Sequence, residues 1–209
     1  MGSMDCGVCG HNLSWLEKRE EVICMSAAVA AWKNHADVLQ FLLVTGIPQE
    51  EARISRPGSM RWWQGCLSGV AAASGSISAL EVLKVHSALH WETAFCAVAR
   101  TGEMRVCEWL CGSSEKVAAG HLERFVVEAA GMALFAKQVQ VCVRFLSTLP
   151  VQALLRGTCV SRVLRQLRKA EQQCWVAELA DQLWGVVVQG GPVDITFDAW
   201  IERVSEHLD

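Results

Sequence analysis

The segment TAFCAVARTGEMRVCEWL, residues 93–110, decides the fold. It reads as a short helix, a turn at Gly102 and a second short helix. Three other segments align with it: AWKNHADVLQFL at 31–42, AASGSISALEVL at 72–83 and FAKQVQVCVRFL at 135–146. In each, an anchor residue precedes a terminal leucine by eleven positions: Ala31 and Leu42, Ala72 and Leu83, Ala99 and Leu110, Phe135 and Leu146. Three positions after the anchor stand Asn34, Gly75, Gly102 and Gln138. Glycine and asparagine there suit a positive φ that closes the first helix, and Gln138 is the outlier. The residue before the final leucine is bulky each time: Phe41, Val82, Trp109 and Phe145.

Outward from this unit, Val, Leu and Ala recur at helical spacing, and sustained alternation is absent, so the expected class is all-α. The one strand-like patch, Val186 to Val188 before Gly190 and Gly191, reads equally as the end of a helix. Pro48, Pro57, Pro150 and Pro192 act as punctuation. A lone helical hairpin cannot bury its apolar face, so neighbours must stack, and alanines such as Ala30, Ala31, Ala71 and Ala72 let the helices approach closely. The expected organisation is an N-terminal segment at 1–24, degenerate helical repeats at 25–149 and a C-terminal helical cap at 150–209. In the cap, 162–183 carries an apolar stripe opposite Arg165, Arg168 and Lys169. A final helix starts near Thr196, with Asp194 or Thr196 as N-cap, and Phe197, Trp200, Ile201, Val204 and Leu208 form its stripe.

The unit at 93–110 resembles the ankyrin repeat. Ala97, Ala99 and Gly102, followed by Val106, Trp109 and Leu110, match that family's small-residue first helix, glycine turn and Val-x-x-Leu-Leu second helix. The terminal leucines at 42, 83, 110 and 146 recur on average every ~35 residues, near the ~33–34 of ankyrin and tetratricopeptide units. Of the family's Thr-Pro-Leu-His opening only Thr93 remains, so the hydrogen bonds that stitch ankyrin repeats must come from elsewhere. The resemblance covers about 25–149 and implies a stacked α-solenoid used for protein binding; a pentatricopeptide-like hairpin array is the related alternative.

Composition bounds the rest. Of 209 residues 52% are hydrophobic and 20% charged, with a formal net charge of -3. That excludes general disorder, and the near-neutral charge argues against a nucleic-acid binder, which needs a basic surface. No apolar run reaches the ~20 residues of a membrane span. No signal peptide opens the chain. The 10 cysteines sit mostly among apolar neighbours, as reduced core residues do in a cytoplasmic or nuclear protein. There are 9 tryptophans and no tyrosine; Trp32, Trp109, Trp175, Trp184 and Trp200 fall on helices and read as structural.

The motifs that could carry chemistry are few. Cys6, Cys9 and His11 form a Cys-x-x-Cys-Gly-His turn of the zinc-knuckle type, but a tetrahedral site needs further ligands, from Cys24 or His35 at unorthodox spacing. Without them no cofactor is expected. His86 and His90 would share one helix face. Cys107 and Cys111 stand one turn apart. There is no nucleophile elbow and no phosphate loop, so no enzymatic activity is expected. The loop from Arg53 to Trp63 interrupts the repeats, and Arg53, Arg56, Trp62 and Trp63 are the residue types that anchor protein interfaces. Leu155, Cys159 and Val163 resemble the elongin-binding box of some ubiquitin-ligase substrate adaptors, in which Leu and Cys on one helix fill a partner's groove; Leu154 departs from its small-residue position. The reading as a whole is a non-catalytic interaction module or scaffold, binding another protein or built into a larger complex as a subunit.

Overall fold

The structure is a computed structural model that describes residues 15–46, 59–113, 119–168, 174–190 and 193–206. Every regular element among these residues is helical. The chain divides into two compact units, Met1–His90 and Trp91–Asp209.

The first unit holds two helix pairs. The first is α1 (Trp15–Trp32) with α2 (Ala36–Phe41), which runs on into a π-helical turn, Leu42–Gly46; the second is α3 (Ser59–Ala73) with α4 (Ile77–Val85). In the first pair Asn34 closes α1 at φ 57°. Its N–H donates to the Ala31 carbonyl at 3.4 Å, and the next N–H, of His35, reaches back to Ala30 at 2.9 Å. This pair of hydrogen bonds is the Schellman closure, which satisfies carbonyls a helix end otherwise leaves open. Gly75, at φ 75°, closes α3 the same way. Helix α1 packs on α3 and α2 on α4. Two hydrogen bonds tie the turns together. The Ala79 N–H donates to Asn34 Oδ1 at 3.3 Å, and Ser76 Oγ donates to the Trp32 carbonyl at 3.3 Å. Ser76 makes no side-chain cap of its own, so Asn34 caps α4 from the neighbouring turn. Such a cap contributes about 0.5–2 kcal/mol.

The second unit holds α5 (Trp91–Thr101) with α6 (Met104–Ser113), α7 (Ala119–Phe135) with α8 (Val139–Leu146), and then α9 (Val151–Leu155), α10 (Thr158–Arg168), α11 (Cys174–Gln189) and α12 (Phe197–Glu206). Helix α5 packs on α7, α6 on α8, α7 on α10 and α8 on α11. Gly102 ends α5 at φ 81°, with its N–H on the Val98 carbonyl at 2.9 Å. Phe95 of α5 meets Phe145 of α8 edge-to-face at 5.3 Å between ring centroids, both fully buried.

The fourth aligned segment needs a correction. The residue at positive φ is Lys137 (62°), not Gln138, which adopts φ -98° as the N-cap of α8. The true anchors are therefore Leu134 and Phe145, again eleven apart and both buried, whereas Phe135 is 73% exposed. In this register one set of positions is buried in every pair. Ala30, Ala71, Val98 and Ala133 lie just before the anchors Ala31, Ala72, Ala99 and Leu134. Leu39, Leu80, Cys107 and Cys142 lie eight after them, all fully buried. The displaced Gln138 has its own place: its side-chain amide lies where a Cβ on Gly102 would stand, 2.5 Å from Oε1.

The stripe expected at 162–183 falls on two helices, α10 and α11, with 169–173 outside the described residues; Val163, Leu164, Leu179 and Leu183 of it are buried, as are Trp200 and Val204 of the final stripe, whose Leu208 lies outside the described residues. Thr196 caps α12 through its hydroxyl, which accepts the Ala199 N–H at 3.3 Å. Trp200 is fully buried and donates its indole N–H to the Leu154 carbonyl at 3.1 Å. Trp184 and Phe197 pack on it with centroids 5.6 and 6.1 Å away. Val186 to Val188 is helical, within α11. Gly157, at φ 75°, separates α9 from α10. A Cβ there would come within 3.2 Å of Val204 on α12.

Candidate functional site

Helix α1 is unusual in its second half. From Val22 to Trp32 there is no charged residue, and Ser26 alone is polar. At 100° per residue, Ala27, Ala30 and Ala31 take one side, and these are buried. Val22, Met25, Val29 and Trp32 take the other, and they are exposed at 63, 63, 53 and 55%. A helix that is apolar all round is normally covered all round. Helix α2 repeats the pattern. Leu39 is fully buried, while Val38, Phe41 and, in the π turn, Val44 are exposed. Single exposed apolar residues are ordinary; seven on one helix pair make it the candidate contact surface.

The surface continues toward α3. A groove of about 410 Å³ opens between the two helices, lined by Ala28, Val29 and Trp32 on one side and Val70, Ala73 and Ser74 on the other. Lys33 holds its ammonium 4.2 Å from the centre of the Trp32 ring. This cation–π contact keeps a charge at the edge of the apolar strip without entering it.

The expected site residues fare differently. Cys6, Cys9 and His11 lie outside the described residues, as do Arg53 and Arg56. Trp62 and Trp63 belong to α3, of which only the backbone is described at those positions. Trp32, expected as a structural tryptophan, is instead the largest exposed ring of the α1 strip. His86 and His90 do not share a helix face. Helix α4 stops at Val85, Ser87 turns at φ 54°, and the His90 N–H donates to Ser68 Oγ at 2.8 Å before α5 begins. Among the described residues no group of three His, Cys, Asp or Glu could hold a metal ion. Leu155, Cys159 and Val163 do not share a helix either, because Gly157 stands between α9 and α10. Cys159 and Val163 are buried, and the Cys159 thiol donates to Glu123 Oε1 of α7 at 3.2 Å. Neither is free to fill a partner's groove.

The thiols are set by burial and neighbours. Desolvation in the core pushes the Cys142 thiol far above its usual range. Burial, and after it the Glu123 carboxylate, raise Cys159. Cys107 and Cys111 are brought together. The hydrogen bond between the two thiols, and after it burial, raise Cys107; the same bond lowers Cys111 against the opposing effect of its burial, and the Arg144 guanidinium favours the Cys111 thiolate further.

Sequence reasoning passed over α1 because its composition looked like core. The available signal was the uncharged run from Val22 to Trp32, which leaves no polar side to face water. Among the described residues no helix is long and apolar enough to cross a membrane, so that run does not serve as a span. No family model, no curated protein and no solved structure matches this chain.

Proposed function

We propose that this chain is a non-catalytic protein-interaction module, a stack of ankyrin-like helical hairpins closed by C-terminal helices, and that its first helix pair is the docking face. The observation that carries the reading is the strip of Val22, Met25, Val29 and Trp32, more than half exposed on a helix whose other side is core. Leaving such a strip in water costs about 25 cal/mol per Å² of apolar surface, so a partner that covers it gains that free energy on binding.

The repeat reading is supported within each unit by the same arrangement: first helix on first helix, second on second, with a left-handed residue closing the first helix of every pair. The exposed residues of the first helix pair are apolar, which fits a scaffold subunit of a larger complex. The free thiols, among them the buried Cys107, Cys142 and Cys159, fit the reducing environment of cytoplasm or nucleus.

The test is affinity capture from the native source with the full chain and with Val29→Glu. Position 29 is exposed, so the variant keeps the helical circular dichroism of the parent. The expected result is one or more proteins held by the parent and lost, at least about tenfold, by the variant. Identical capture by both chains contradicts the docking face.

A further inference from the structure

The exposed positions of α1 are spaced three, four and three apart: 22, 25, 29 and 32. This is the a–d–a–d seam of a two-stranded coiled coil, with β-branched valine at both a positions. A seam of this kind asks for another helix with the same spacing, and this chain supplies one in a second copy. We propose that a second copy of the chain packs antiparallel on α1, Val22 opposite Trp32 of the second copy and Met25 opposite Val29. The inference rests on the reading of the first helix pair as a docking face, and it names the occupant.

Three observations favour a second copy in this orientation. The seam can meet itself without opposing like charges, since no charged residue occurs from 22 to 32. Trp32 is the one large ring on the seam, more than half exposed. A parallel pair would set Trp32 against its own copy, two bulky rings at one level. The antiparallel register sets each Trp32 against the smaller Val22. The third observation is area. With roughly 100 Å² for an aliphatic side chain and about 200 Å² for a large aromatic, the exposed fractions on α1 and on α2, which lies alongside it, amount to roughly 500 Å² per copy. A pair then buries about 1,000 Å², the lower bound of a specific interface. The association is therefore weak to moderate, and it is read best over a concentration series.

Sedimentation equilibrium of the full chain tests the proposal with two single variants, Met25→Lys and Val29→Glu, each with unchanged circular dichroism. The parent is expected to dimerise with rising concentration. Each variant alone is expected to weaken association at least about tenfold. An equimolar mixture of the two is expected to dimerise again. In the antiparallel register the new ammonium at position 25 of one chain faces the new carboxylate at position 29 of the other, while the remaining Val29 and Met25 meet as in the parent. A parent that stays monomeric at every concentration overturns the proposal, whether another protein or this chain's own residues cover the strip. A dimer that survives both variants overturns it too, and variants that stay monomeric when mixed overturn the antiparallel register. Failure here is separable from failure of the docking face. A monomeric parent whose captured partner is lost on Val29→Glu keeps the face and removes the second copy from it.

Discussion

Backbone handedness at single residues sets where each helix pair folds back. Gly102, at φ 81°, adopts a conformation that costs an L side chain about 1–3 kcal/mol. Gly102→Ala is expected to destabilise the chain by about that amount in urea denaturation. The Gln138 amide beside it can swing aside, so the backbone supplies most of the cost. Lys137 already carries the strain at φ 62°; Lys137→Gly is expected to raise stability by about 0.5–1 kcal/mol, a gain the same measurement reads. Single thiols carry a pH signature. Cys142 has a folded-state pKa raised by burial above the usual ~8.5 of an unfolded thiol. Above pH ~8.5 the unfolded chain loses this proton and the folded chain keeps it, so the unfolded state binds fewer protons and stability falls as pH rises. The contribution is whole below pH ~8.5, and the loss above it is about 1.4 kcal/mol per pH unit for this thiol. Denaturation midpoints at neutral and alkaline pH check it, with Cys142→Ala expected to lose this part of the alkaline slope while being less stable at neutral pH.

Elements follow from periodicity, and their registers follow from contacts that periodicity does not contain. Asn34, Gly75 and Gly102 were legible as turn residues because asparagine and glycine tolerate positive φ. Lys137 was not, since lysine has no local reason to adopt it; the packing of α7 against α8 imposes it, and the anchors move one residue with it. The expected outcome is a contrast between neighbours. Leu134→Ala should cost about 2–5 kcal/mol, as buried leucines do, while Phe135→Ala should change stability by less than about 0.5 kcal/mol, both by thermal or urea unfolding. If Phe135 proved the costly position, the register would be wrong. Gly157 illustrates the same limit. Leu155, Cys159 and Val163 fit one helical stripe on paper, and only the approach of Val204 on α12 to Gly157 shows why the chain turns there. The candidate surface was less legible still. Residues 22–32 are apolar on both faces of α1, and burial alone separates Ala27, Ala30 and Ala31 from Val22, Met25, Val29 and Trp32.

At the scale of the molecule, the low charge and the many tryptophans divide between interior and surface. Trp200 is buried with its indole N–H satisfied, Trp91 and Trp109 stack at 6.4 Å, and Trp32 stands in the open. An interaction module with an apolar outer face should carry it covered in its native assembly. Oxidative footprinting reads this most directly, because methionine and tryptophan side chains report their own exposure whatever the occupant. Met25 and Trp32 are expected to label readily in the isolated chain at low concentration and to be protected several-fold in the assembly taken from the native source, with the buried Trp200 unlabelled in both. Equal labelling of Met25 and Trp32 in the two states would contradict the docking face.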